Sequence, residues 1–203
     1  MTKGLAAGLG CVAIIVVVAL ILGFSAWGTY NKMVSSRESV NNAWAQVENV
    51  YQRRADLIPN LVATVKGYAS HEKEVFESVA ASRSQVGSIK LTPEMLNNPA
   101  ELQKFQHAQD GLTGALSRLL AVAENYPELK ANQNFLDLQS QLEGSENRIA
   151  QERRRFNEVA QQYNTLIMQF PSNIFARVFG FQKKAYFESA PGSEKAPTVD
   201  FSK

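Results

Sequence analysis

Apolar positions follow two regimes along this chain. Gly4–Tyr30 is apolar without a single charged residue, through Val12-Ala13-Ile14-Ile15-Val16-Val17-Val18-Ala19-Leu20-Ile21-Leu22. As a helix, about 20 such residues cross a hydrocarbon core of about 30 Å. A helix satisfies its own backbone groups, which lipid demands. Trp27 and Tyr30 fall where that helix would leave the bilayer, the place that amphipathic rings favour. After Met33 the pattern turns periodic. Val40, Trp44, Val47, Tyr51, Ala55, Ile58, Val62, Val65 and Ala69 recur every three or four residues, the apolar face of one long helix to about Tyr68. No breaker separates Tyr30 from Val40, so the span is expected to run into this helix as one rod. Pro59 removes a helical hydrogen bond and predicts a kink.

Gly67 and Ser70 offer a break before His71-Glu72-Lys73-Glu74. Val75, Phe76, Val79 and Val86 carry a second helix to about Gly87. The pattern fits either one bent helix or two. Ser88–Asn98 reads as a loop. Asn98, Pro99 and Glu101 then supply an N-cap, a first turn and a third position. Leu102, Phe105, Leu112, Leu116, Leu119 and Ala123 mark a third helix, ended by Pro127. The fourth spans roughly Asn132–Phe170. Phe135, Leu142, Ile149, Phe156, Tyr163 and Phe170 recur at every seventh position, and Leu138, Val159 and Leu166 form a companion seam that Ser145 and Glu152 interrupt. Such spacing is coiled-coil-like and belongs to helical bundles. Pro171 stops it. No stretch alternates with a period of two.

The fold expected is therefore all-α: an N-terminal transmembrane helix (1–30), an antiparallel four-helix bundle with an aromatic-basic segment (31–187), and a disordered tail (188–203) that opens on Ser189-Ala190-Pro191-Gly192-Ser193. In such a bundle the first helix leaves the membrane and the fourth returns to it. Ser172–Phe187 would then lie near the lipid. Two readings fit it. Phe175, Arg177, Phe179, Phe181, Lys183 and Lys184, with Trp27 and Tyr30, suit a membrane interface; equally, the aromatics could close the open end of the bundle.

Two alternatives to a retained anchor are weaker. A cleaved signal peptide has a shorter apolar core, roughly 7–15 residues, and small residues before the cut, whereas Phe24-Ser25-Ala26 places a bulky one there. A lipoprotein would use Cys11, but Gly8-Leu9-Gly10 matches a lipobox poorly. Gly4 and Gly8 have the spacing of a helix-pairing motif, a weak signal in so short a pattern. Net charge is +2 over 203 residues, with both signs mixed. That argues against nucleic-acid binding, which needs a basic patch or stripe. The lone Cys11 excludes an internal disulfide and a thiolate metal site. Orientation is a near tie: Lys3 stands on one side of the span, Lys32 and Arg37 with Glu38 on the other.

Motifs for chemistry are absent. His71 and His107 belong to no Glu-x-x-His pair, and there is no zinc-protease, phosphate-loop, dinucleotide or Gly-x-Ser-x-Gly pattern. No cofactor or metal is expected. One polar constellation stands out: Arg53, Arg54, Asp56 and Asn60 midway along the first bundle helix, and Glu146, Glu152 and Arg153 midway along the fourth. Antiparallel packing would bring them to similar height. They would form a solvated or part-buried ion-pair network that fixes register, or alternatively a ligand-sensing or catalytic site.

Gln52-Arg53-Arg54-Ala55-Asp56-Leu57-Ile58-Pro59-Asn60-Leu61-Val62, with Val65-Lys66-Gly67-Tyr68-Ala69 and His71-Glu72, resembles the signature of the LemA family. So do Ala123-Glu124-Asn125-Tyr126-Pro127-Glu128-Leu129, Asn134-Phe135, Tyr163-Asn164, Phe170-Pro171, Phe179-Gly180-Phe181 and Tyr186-Phe187. The likeness covers nearly all of the chain from the anchor to Phe187. It implies a bacterial single-pass protein of the cytoplasmic (inner) membrane with a helical bundle, which descriptions of the family place in the cytoplasm. It brings no catalytic residues. The expected role is that of a non-enzymatic scaffold or adaptor, held in the bilayer by residues 4–30, meeting other membrane or envelope proteins or copies of itself.

Overall fold

A computed structural model of the chain describes residues 2–188, with side chains placed from Ile14 onward except Leu22. Cys11 and the Gly4/Gly8 pair precede those side chains. The tail expected over 188–203 lies, beyond Glu188, outside the described residues.

Those residues are helical, with no strand among them. α1 runs from Thr2 to Tyr68 as a single helix of 67 residues, about 100 Å at 1.5 Å per residue. The expected rod is therefore present, and Pro59 sits inside it without ending it. Ala69–Glu72 separate α1 from α2 (Lys73–Gly87), so the two are distinct helices. α3 covers Pro99–Ala123, α4 is the single turn Pro127–Lys130, α5 covers Gln133–Met168 and α6 covers Ser172–Phe179. Asn98 caps α3 as expected, its side-chain oxygen accepting from the Ala100 amide at 3.1 Å. Asn132 does the same for α5 through the Phe135 amide.

Three details depart from the sequence expectation. The loop before α3 holds a 3-10 helix, Pro93–Asn97, that buries Met95 and Leu96; two apolar residues in a row carry no helical period, so the pattern hid it. Ser145 does not interrupt the seam. It is buried, its hydroxyl donating to the Leu142 carbonyl at 2.7 Å. Phe170 leaves the seam and is 80% exposed, because α5 ends at Met168 and the chain has already turned.

α1 packs chiefly on α5, and α2 on α3. Trp44 meets Phe156 and Arg54 meets Glu146, so partners descend α5 as they ascend α1 and the two run antiparallel. The buried apolar residues fall into two clusters. One, toward the apolar span, gathers Met33, Trp44, Tyr51, Phe105, Phe156, Tyr163 and Phe187. The other, toward the far end, gathers Ile58, Val65, Val79, Leu112, Leu119 and Phe135. Ile14–Ile21 and Gly23–Ser25 are all exposed. α1 is the one described helix long and apolar enough to cross a membrane.

Candidate functional site

A polar layer divides the two cores. Arg54 is only 2% exposed. Its Nη1 donates to Glu146 Oε1 at 2.5 Å on α5 and to Thr113 Oγ1 at 2.9 Å on α3. Its Nη2 donates to Gln109 Oε1, also on α3, and the guanidinium lies over the Tyr51 ring at 5.3 Å. Nε is buried without a partner. A buried guanidinium is tolerable only when its donors meet acceptors and a counter-charge. Here α1 supplies the cation, α3 two neutral acceptors and α5 the carboxylate. Glu146 is 37% exposed by its side chain, so water reaches the pair from the α5 side. Burial pushes the Tyr51 phenol up, against the pull of Arg153 and Arg54.

The sequence constellation is thus only partly assembled. Arg54 and Glu146 meet. Arg53, Asp56 and Asn60 point to solvent, Asp56 accepting from Gln52 Nε2 at 2.7 Å. Glu152 is paired with Arg155 at 3.9 Å. Arg153 lies over the Phe187 ring at 4.6 Å and donates to the Glu188 carbonyl. The reason is angular: Arg54 shares the inward stripe with Tyr51 and Ile58, while its neighbours at 53, 56 and 60 lie off it. Gln109 and Thr113 were missed because single polar residues in an amphipathic helix give no signal of their own. An open groove of about 540 Å³ between α1, α2 and α3 adjoins the layer, lined by Glu48, Tyr51, Gln52, Arg83 and Gln109. Burial raises the Glu48 carboxyl, an effect the Trp44 indole opposes. Gln109 is already engaged by Arg54. No group of three or more His, Cys, Asp or Glu comes together among the described residues.

A second arrangement involves the segment after α6, whose aromatics had two readings in sequence but whose amide partners had none. After α6 the chain turns at Gly180, whose φ of 73° is left-handed and suits glycine. It then runs extended over 181–188 across α3 and α5. Asn157 Oδ1 accepts from the Phe187 amide at 2.9 Å, and its Nδ2 donates to the Phe187 carbonyl at 2.9 Å. Asn164 treats Lys184 in the same way, at 2.8 Å in both directions. Gln106 embraces Glu188 likewise, at 2.7 and 3.3 Å. Three side-chain amides thus do for this strap what a neighbouring strand would do in a sheet. Phe187 is drawn in to stack on Trp44, centroids 6.1 Å apart.

The expected membrane-interface residues divide accordingly. Lys184 is buried, its Nζ donating to Asn97 Oδ1 at 2.8 Å. Burial holds its ammonium below the usual lysine range. It is a bundle residue, pulled inward because Asn164 fixes its backbone, and the interface expectation fails for it. Phe181 is partly buried beneath Arg37 at 5.2 Å. Trp27, Tyr30, Arg177, Phe179 and Lys183 remain exposed, with Phe175 half-buried.

The LemA family model matches residues 43–201. Magnetosome protein MamQ of Magnetospirillum gryphiswaldense is 29% identical over 183 residues, covering 81% of this chain and 66% of that protein. Magnetosome protein MamQ 1 of Paramagnetospirillum magneticum is 28% identical over 181 residues with the same coverage. Protein LemA of Metamycoplasma hominis is 24% identical over 163 residues, covering 80% of this chain and 70% of that protein. The chain therefore spans a little under two thirds of the magnetosome relatives.

Two outcomes test the geometry. Glu146→Ala leaves Arg54 buried without its counter-charge and should destabilise by about 2–3 kcal/mol, while Arg54→Met, which removes the charge itself, should lose less. Urea unfolding of the full chain in detergent, followed by circular dichroism, gives the order; a larger loss from Arg54→Met contradicts the account. Asn164→Leu should release the strap, so that the Lys184 and Phe187 amides exchange hydrogen at least about tenfold faster while α3 and α5 stay protected. Unchanged exchange at Lys184 would show that the amide pairing does not hold it.

Proposed function

Because the chain belongs to the LemA family, we propose that it is a membrane-anchored scaffold or adaptor of the bacterial inner membrane, its helices forming an antiparallel four-helix bundle that meets other proteins or further copies of itself. The observation that carries this reading is the continuity of α1. The apolar span and the central core helix are one element from Thr2 to Tyr68. Whatever the bundle binds is then held at a set height above the bilayer, which is what a tethered scaffold needs and a diffusing enzyme does not. The fate of the buried charge supports it: the donors of Arg54 that find partners are spent on internal acceptors rather than aimed into an open cleft.

The test uses photo-cross-linking residues placed at Arg83 on α2 and Arg148 on α5, both exposed. Light in living cells should give adducts of discrete size, and light scattering in detergent should report whether one partner is a second copy. A strictly monomeric protein without discrete adducts from either position would end this reading. The bundle is taken to face the cytoplasm. In a Cys11→Ser background, Ser193→Cys should then react with an impermeant thiol reagent only after lysis; reaction in intact cells would place it on the other side.

A further inference from the structure

α6 packs Phe175 and Ala176 on the core and turns its other large apolar residues outward. A helix on the surface of a water-soluble domain turns its apolar stripe to the core and its polar residues to solvent. In α6 the buried residue is the small Ala176, while Ile174 and Val178, one turn apart, are 53% and 73% exposed. Phe170, just before the helix, and Phe179, at its end, extend the same open surface. Nor is α6 loosely placed, since it packs on both α5 and α1.

Its position gives the exposure a meaning. The Phe179 ring meets the Tyr30 ring edge to face, centroids 4.9 Å apart. Ala26, Trp27, Tyr30 and Phe179 line one small apolar hollow. The end of α5 is level with the same point on α1, for Gln169 and Lys32 line one groove. The turn into α6 therefore stands beside the last residues of the uncharged span. Through Phe179 the exposed residues of α6 adjoin the flank of that span, where Trp27 is 71% open. Exposed apolar patches of this kind mark contact sites. Arg177 within α6 and Lys183, three residues past Gly180, are both exposed, and cations are what an interfacial helix presents to anionic headgroups.

We propose that α6 lies in the headgroup–acyl boundary of the same bilayer that α1 crosses, with Phe170, Ile174, Val178 and Phe179 immersed and Arg177 and Lys183 among the phosphates. The bundle then has two membrane contacts instead of one. A single helix leaves a domain able to tilt and spin about its axis; a second contact set to one side fixes which flank of the bundle faces the lipid. This rests on the reading that α1 spans the membrane.

Spin labels test the two readings separately. The full chain, Cys11→Ser, carries one label through Ile15→Cys, Val178→Cys or Arg148→Cys in vesicles of phosphatidylcholine and phosphatidylglycerol. Collision with oxygen, which enters lipid, is compared with collision with a water-soluble nickel chelate. The label at 15 should be deep in lipid and that at 148 in water. The label at 178 should favour oxygen over the chelate by several-fold relative to 148. A watery label at 178 with a lipid-bound label at 15 overturns the α6 proposal alone; a watery label at 15 removes the anchor itself. Dipolar broadening at 178 that vanishes on dilution with unlabelled protein would assign the patch to a second copy and equally overturn it. Since 178 is an open position, the label leaves the packing intact.

Discussion

Burying one guanidinium obliges three helices to agree. Arg54 can sit inside only where α3 offers Gln109 and Thr113 and α5 offers Glu146. A slip of α5 by one turn would set Leu142 or Ile149 against the charge, a desolvation that hydrocarbon cannot relieve. The apolar contacts on either side are less particular, because leucine packs on leucine at many registers. The polar layer gives up some stability relative to an apolar one in exchange for a single alignment. It also accounts for the core being two clusters instead of one.

Register has consequences far from Arg54. With Glu146 opposite Arg54 and Phe156 opposite Trp44, α5 reaches its end level with Lys32. The chain must then turn where the uncharged span of α1 begins. α6 follows, and Gly180 sends the strap back along α3 and α5. The strap closes the core nearest the span, bringing Phe187 against Trp44 and Phe156. Its backbone groups, which a helix would satisfy internally, are met by Asn157, Asn164 and Gln106. The end of the packed helices nearest the span is thus closed by the strap.

Polar and apolar groups have been treated in opposite ways. Buried polar groups turn mostly to one another or to the strap. Large apolar side chains stay exposed along the span and α6. The proposed role in association, with lipid or protein, rests on that exposed apolar surface, and membership of the LemA family prescribes no reaction.

The sequence by itself determined the long helices, their order and most of their ends, because these follow from local causes: the 3.6-residue period, Asn98 as a cap, and the prolines at 127 and 171. The uncharged span and its continuity with the first long helix were legible for the same reason, and so was the LemA signature. Tertiary structure decided what no local pattern encodes. Of seven polar residues at similar height, only Arg54 and Glu146 meet, since a rotation of about 100° per residue puts their neighbours outside. Gln109, Thr113 and the three strap-holding amides became visible only once distant helices were side by side. Ser172–Phe187 had two readings in sequence; Gly180 divides it, with α6 left open beside the span and Lys184 to Phe187 taken into the bundle. An amphipathic segment announces that it has an apolar face, but what lies against that face depends on where the rest of the chain carries it.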